Sequence, residues 1–230
     1  MQKLTKDQIE DLYAFTRKHF VEWYDLQTEL VDHLANDIEA VWEENPNVSY
    51  EVARDQAFKK FGVFGFMDVI EKRRKAMSKK YMKYLYSELK KWFELPQILA
   101  TIALFLFFVT SFSSSISEYL FISFYLILMV WSARKSIILN REFRKRKEVS
   151  NKKWLLEEMI FKQAGGVGFV FLTQFGNVFH YSDTIFTNQY TTIIVALIST
   201  FFCLFNFISF QILPSKAEKL LKDTYPEFSL

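Results

Sequence analysis

The chain has 230 residues, of which 50% are hydrophobic and 18% aromatic, with 26 Phe and a formal net charge of +3 at pH 7. Its single cysteine, Cys203, excludes a disulfide framework and a cysteine-based zinc site. The near-zero mean hydropathy of +0.03 averages charged stretches with four strongly apolar ones, so it does not mark a water-soluble chain.

Residues 1 to 20 are charged and amphipathic and lack the uninterrupted apolar core of a signal peptide. Thr5 and Gln8 have capping-box spacing, followed by a loose helical stripe of Ile9, Leu12, Tyr13, Phe20 and Trp23. A second helix is expected from about Tyr24 or Asp25, because Leu26, Leu30, Leu34, Ile38, Val41 and Trp42 recur at steps of three and four. Asn45-Pro46 ends it, since the residue before proline avoids the helical region. Ser49 is a suitable N-cap for a third helix that buries Val52, Ala53, Ala57, Phe58 and Phe61 and stops at Gly62. A fourth helix is expected from around residues 65–68 to Phe93.

Charge is divided sharply along this front part. Residues 1–58 carry 13 acidic and 5 basic side chains, whereas residues 59–95 carry 4 acidic and 11 basic. The basic run includes Lys72, Arg73, Arg74, Lys75, Lys79 and Lys80, and with Arg144, Lys145, Arg146 and Lys147 it is expected to lie against anionic lipid headgroups. Each such cation contributes on the order of 1 kcal/mol at a membrane surface. Nucleic acid is not an expected partner, because the acidic remainder of this region repels phosphates.

Tyr24-Asp25-Leu26, Glu29-Leu30-Val31-Asp32-His33-Leu34, Ile38-Glu39, Ser49 with Ala53 and Ala57-Phe58, and Phe61-Gly62 form a pattern over residues 20–75. That pattern resembles the HAAS-type helical domain, a small bundle that precedes membrane helices in many bacterial proteins. Because members are often encoded beside PadR-type regulators, the resemblance implies a role in membrane signalling or envelope response. It does not extend to the apolar segments.

Those segments cover about residues 96–113, 116–135, 158–179 and 190–213. A helix of about 20 mostly apolar residues crosses a bilayer core of about 30 Å. The expected fold is therefore all-α. It comprises a bundle over residues 1–75, a basic amphipathic connector over 76–95, four transmembrane helices over 96–213 and a tail over 214–230. The stretch Arg134–Lys153 holds 9 basic and 2 acidic residues, whereas the two short connections on the other side hold no Lys or Arg. The positive-inside rule then places both termini in the cytoplasm of a multi-pass cell-membrane protein. Trp92, Tyr119, Trp131, Trp154, Tyr181 and Tyr190 suit an interfacial aromatic belt. In the tail, Ser215 is expected to cap a short helix.

Candidate chemistry is sparse. Glu29, His33 and Asp37 share one helix face at four-residue steps, a workable but incomplete divalent-metal set, with His19 as the nearest further ligand. The ordinary reading of that face is polar helix pairing. The third apolar segment contains Gly165, Gly166 and Gly168, which allow close helix contact, and Lys162, Gln163, Gln174 and Asn177. Either Lys162 reaches the headgroups beside a glycine packing seam, or the polar groups, with Asn206, line a pathway for a solute. The seam also makes a homo-oligomer attractive. No Ser-His-Asp arrangement, paired-carboxylate site or cofactor loop is visible. The sequence therefore points to a non-enzymatic membrane protein, without a cofactor, that acts through protein contacts. A subunit of an oligomeric transporter or channel is the alternative, followed by a metal-dependent membrane enzyme.

Overall fold

Thr5 opens the first helix. Its hydroxyl accepts from the Gln8 N–H at 3.3 Å while the Gln8 side chain accepts from the Thr5 N–H at 2.9 Å, so the capping box forms. In the computed structural model, residues 2–162, 186, 188–225 and 228 are described, and every regular element among them is helical. The chain divides into two units. Residues Met1–Lys79 and Lys147–Leu156 form the first, and Lys80–Arg146 and Glu157–Leu230 form the second.

In the first unit α1 (Lys6–Lys18), α2 (Tyr24–Glu44) and α3 (Tyr50–Lys59) precede the start of α4 (Met67–Lys91). Leu26, Leu30, Leu34 and Ile38 of α2 are completely buried, and Trp42 is nearly so. Four-residue steps keep these side chains on one helix face. They meet Leu12 of α1, Val21, Ala53 and Ala57 of α3, Phe66 and Ile70 in one apolar core. Each fully buried Leu stabilises such a core by about 1.5–3 kcal/mol. The Trp42 indole donates to the Val48 carbonyl at 3.0 Å and ties down the turn that follows α2. Ser49 accepts from the Val52 N–H and starts α3. Gly62 and Gly65 take positive φ of 79° and 54°, which carries the chain into α4 with Phe58 close against Gly65.

The second unit holds α5 (Gln97–Phe112) and α6 (Ser117–Ser150) up to Arg146. It also holds most of a helical segment, α7, over residues 155–162, then α8 (Gln189–Phe207), a π-helical turn (Ile208–Ile212), α9 (Leu213–Ser215) and α10 (Ala217–Lys222). Phe108 and Phe112 of α5, Phe121 of α6 and Ala196 of α8 form its aromatic-rich core. Among the described residues, two stretches, Ser117–Ser150 and Gln189–Ser215, are long and apolar enough to cross a membrane. The 16-residue α5 is apolar but spans only about 24 Å at 1.5 Å per residue. The third expected span from residue 163 onward, with Gln163, Gly165, Gly166, Gly168, Gln174 and Asn177, lies outside the described residues, as does Tyr181.

Two sequence-based boundaries change. The basic stretch expected as a loop from Arg134 is helix as far as Ser150. It contains no Gly or Pro, and Arg, Lys, Leu and Glu all favour a helix, so charge density alone does not interrupt it. Asn151, at φ +51°, ends α6 in the left-handed conformation that asparagine tolerates. In the tail, Ser215 closes α9 with its hydroxyl donating to the Ile212 carbonyl, and α10 starts after Lys216 without a side-chain cap.

Candidate functional site

The N-terminus of α2 lacks a side-chain cap, because Trp23 stands at the capping position. The missing acceptor comes from about 130 residues further along the chain. The Tyr24 N–H donates to the Lys153 carbonyl at 2.7 Å. The exchange is reciprocal: the Asp25 carboxylate accepts from the Leu155 N–H at 3.2 Å, at the start of α7. Each helix start thus satisfies an orphan N–H of the other. Asp25 also sits in the first turn of α2, where the helix dipole favours a negative charge.

Asp25 is buried, with 2% of its side chain exposed, and needs a cation. Arg73 of α4 supplies it, 3.8 Å from Asp25 and 3.5 Å from Glu29. Trp154 is buried and meets Tyr24 edge-to-face at 5.3 Å. The strap Lys147–Leu156 is therefore fastened to the helices of the first unit by a backbone–backbone hydrogen bond, a backbone–carboxylate hydrogen bond and a buried indole.

A cleft of about 660 Å³ opens beside this junction. Arg17 at the end of α1 and Lys147, Lys152 and Lys153 of the strap line it, with Glu22 and Tyr24. Lys153 pairs with Glu22. The Lys152 ammonium lies 4.3 Å from the centre of the Tyr24 ring, a cation–π contact. Ser150 accepts from the Lys152 N–H at 3.3 Å and donates to its carbonyl at 3.0 Å, which holds the turn that presents these lysines.

The proposed metal face does not converge. Asp37 accepts from Lys60 at 2.7 Å and Glu29 faces Arg73, while His33 lines a smaller cleft with Asp37, Lys60 and Phe61. His19 is held by the Phe15 carbonyl at 2.9 Å and by the rings of Phe15, Phe58 and Phe66. Among the described residues, no group of three His, Cys, Asp or Glu side chains is placed to hold an ion.

The basic set divides. Lys72, Arg74, Lys75, Lys79, Arg144, Lys145 and Lys147 are exposed and Lys80 is half-buried, as a surface-facing role requires. Within that set Arg74 lies over the Trp23 ring at 5.7 Å and Lys75 pairs with Glu71. Arg73 instead turns inward to Asp25 and Glu29. Arg146 is engaged by Glu142 at 3.2 Å and Glu157 at 3.9 Å, and lies 5.1 Å from the Phe161 ring centre. Burial pushes the Glu157 carboxyl above its ordinary value, with Arg146 pulling the other way. Trp154 leaves the expected aromatic belt for the interior of the first unit, while Tyr119 and Tyr190 remain exposed.

In the second unit several polar groups on the apolar helices make hydrogen bonds within it. Asn206 is 1% exposed, donates to the Phe202 carbonyl at 2.8 Å and accepts from the Ser132 hydroxyl at 3.2 Å. It ties α6 to α8. One turn on, Lys135 donates to Gln211 within the π-helical turn at 2.8 Å. Lys162 pairs with Glu158 at 2.8 Å and lies 5.0 Å from the Phe143 ring centre. Glu88 of α4 is bonded to Lys216 at 2.7 Å and Lys91 at 2.8 Å. Burial works against its charge, but the two ammonium groups hold the carboxyl below the usual carboxylate value.

The sequence showed Asp25 only as part of a family pattern. Its burial and its partner Leu155 leave no local signal, because the bond spans 130 positions. Comparison with protein-family models, curated proteins and solved structures returns no match for this chain.

Proposed function

We propose that the protein is a non-enzymatic, multi-pass cell-membrane protein whose N-terminal helical bundle is a cytoplasmic interaction module for membrane-linked signalling or regulation. The outward apolar surface of the second unit carries this reading. Leu106 and Phe107 of α5, Ile127 and Val130 of α6, and Ile194, Leu197 and Ile198 of α8 are 53–69% exposed. An apolar surface on this scale suits lipid rather than water. In this reading the four apolar stretches of the sequence, α5, α6 and α8 among them, cross the bilayer. The charge bias of the connections then favours cytoplasmic termini.

The interaction role rests on the first unit's exposed acidic residues, including Asp32, Glu43 and Glu44 of α2, and on the resemblance of residues 20–75 to the HAAS-type domain. The expected partner is a protein with a basic docking surface. The test is crosslinking and affinity purification from native membranes, comparing the wild-type chain with Asp32→Lys/Glu43→Lys/Glu44→Lys. These positions are exposed, so the bundle should keep its fold. A discrete partner lost in the variant supports the reading. An identical partner set, or self-association alone, counts against it. Deleting residues 1–75 is a poorer design, because it strips the strap of the core that caps it.

A further inference from the structure

We propose that the cleft between the end of α1, the start of α2 and the strap is a binding site for a phosphate-bearing anion, presented by a lipid headgroup or by a soluble phosphate compound. The inference concerns the first unit alone and does not depend on the protein-partner reading.

Four cations converge there in a region whose first 58 residues carry 13 acidic and 5 basic side chains. Of the four, Lys153 is matched by Glu22. Arg17, Lys147 and Lys152 have no carboxylate within ion-pair distance among the described residues, which leaves three positive charges around one cavity. Assembling like charges is unfavourable unless an anion offsets them. A phosphate monoester carries about −1.5 to −2 charges and three acceptor oxygens, and a guanidinium with ammonium groups suits it. The cavity, at about 660 Å³, lies within the range of about 300–1,000 Å³ usual for small-molecule sites. It therefore has room for a phosphate together with the group that carries it. Tyr24 supplies an apolar wall for that group.

The cations are also held in place. The strap backbone is fixed by the Tyr24–Lys153 and Leu155–Asp25 hydrogen bonds, and the turn at Asn151 by Ser150. A ligand therefore meets a backbone already ordered, and less of its binding energy is lost to ordering the site. Because Arg17 belongs to α1 and Lys147 and Lys152 to the strap, one anion bridges both and stabilises the first unit by mass action.

The experiment uses the full chain in an uncharged detergent. Thermal unfolding is followed by tryptophan emission while inorganic pyrophosphate is titrated at ionic strength held constant with chloride. In parallel, native mass spectrometry compares retention of phosphatidylglycerol with that of phosphatidylcholine. The wild type is compared with Arg17→Gln/Lys147→Gln and with Lys6→Gln/Lys18→Gln, which removes the same charge outside the cleft. The expected result is a saturable rise in melting temperature, or selective retention of the anionic lipid, weakened at least tenfold by the first variant and unchanged by the second. A response to pyrophosphate alone assigns a soluble ligand, and retention of phosphatidylglycerol alone assigns a lipid headgroup. The absence of both responses overturns the proposal, as does a response equal in the two variants.

Discussion

The two units solve opposite burial problems. In the first, Leu26, Leu30, Leu34 and Ile38 point inward and charges cover the outside; Phe20, Val63 and Phe64, among its most exposed apolar residues, lie in turns. In the second, Leu106 and Phe107 of α5, Ile127 and Val130 of α6, and Ile194, Leu197 and Ile198 of α8 are exposed, while Thr192, Ser199, Thr200, Asn206 and Ser209 are buried. In the apolar window of α6, 17% of the residues are buried. Water rewards the first arrangement. Lipid removes the penalty on the second and makes internal hydrogen bonds the economical use of polar side chains. Helicity is common to both units, so the direction each face points is what separates them.

The largest expected effect tests that separation directly. Ile198, in the middle of the apolar stretch Gln189–Ser215, is 54% exposed. Ile198→Asp on a lipid-facing surface should oppose insertion by about 2.5–3.5 kcal/mol, against less than about 0.5 kcal/mol for an exposed site in water. Carbonate extraction of membranes and a reporter-based insertion assay read the difference. Full retention of the variant would mean that this face of α8 does not meet lipid.

Next is the charged interior of the first unit. Asp25→Ala removes the acceptor for the Leu155 N–H and leaves Arg73 with Glu29 alone. Breaking such a buried pair costs about 3 kcal/mol. Denaturant unfolding followed by the emission of Trp154, which lies against Tyr24, should show the midpoint fall.

A smaller effect is expected from Asn206→Leu in the second unit. It removes the Ser132 bond and the Phe202 bond but restores an apolar side chain, so the loss should be about 1 kcal/mol. Thermal stability in lipid nanodiscs measures it. A gain in stability would mean that the buried amide serves something other than packing.

The smallest effect is pH-dependent. The Glu88 carboxyl is held below its ordinary value, so its pairing with Lys216 and Lys91 stabilises the fold above the unfolded carboxylate value of about 4.3. That contribution disappears as pH falls through the lower folded value. A half-exposed network of this kind is worth at most about 1 kcal/mol. Glu88→Gln should flatten the wild-type stability profile below about pH 4.3, as thermal melts across that range would show. An unchanged slope would assign the acid response to other carboxylates.

Much of the local structure is legible in the residues themselves. The capping box at Thr5, the stripe of α2, the cap at Ser49 and the stop near Gly62 depend on neighbours within four or five positions, and short-range geometry decides them. The candidate site is much less legible. Lys147, Arg146 and Arg73 look alike as surface cations in sequence, yet Lys147 lines the cleft, Arg146 bridges Glu142 and Glu157, and Arg73 neutralises Asp25. Trp154 reads as an interfacial aromatic and is in fact buried against Tyr24. In each case a partner far along the chain decides the role.

By itself, the sequence determined that this protein is helical, where its apolar stretches lie and how its charge divides, because periodicity and composition are local properties of the chain. Only the tertiary structure decided that residues 147–156 belong to the N-terminal unit, that two uncapped helix starts complete each other through Tyr24, Asp25, Lys153 and Leu155, and that Arg17 stands with the lysines of the strap. Backbone N–H groups and buried charges must find partners wherever folding brings one close, and no local pattern records where that will be.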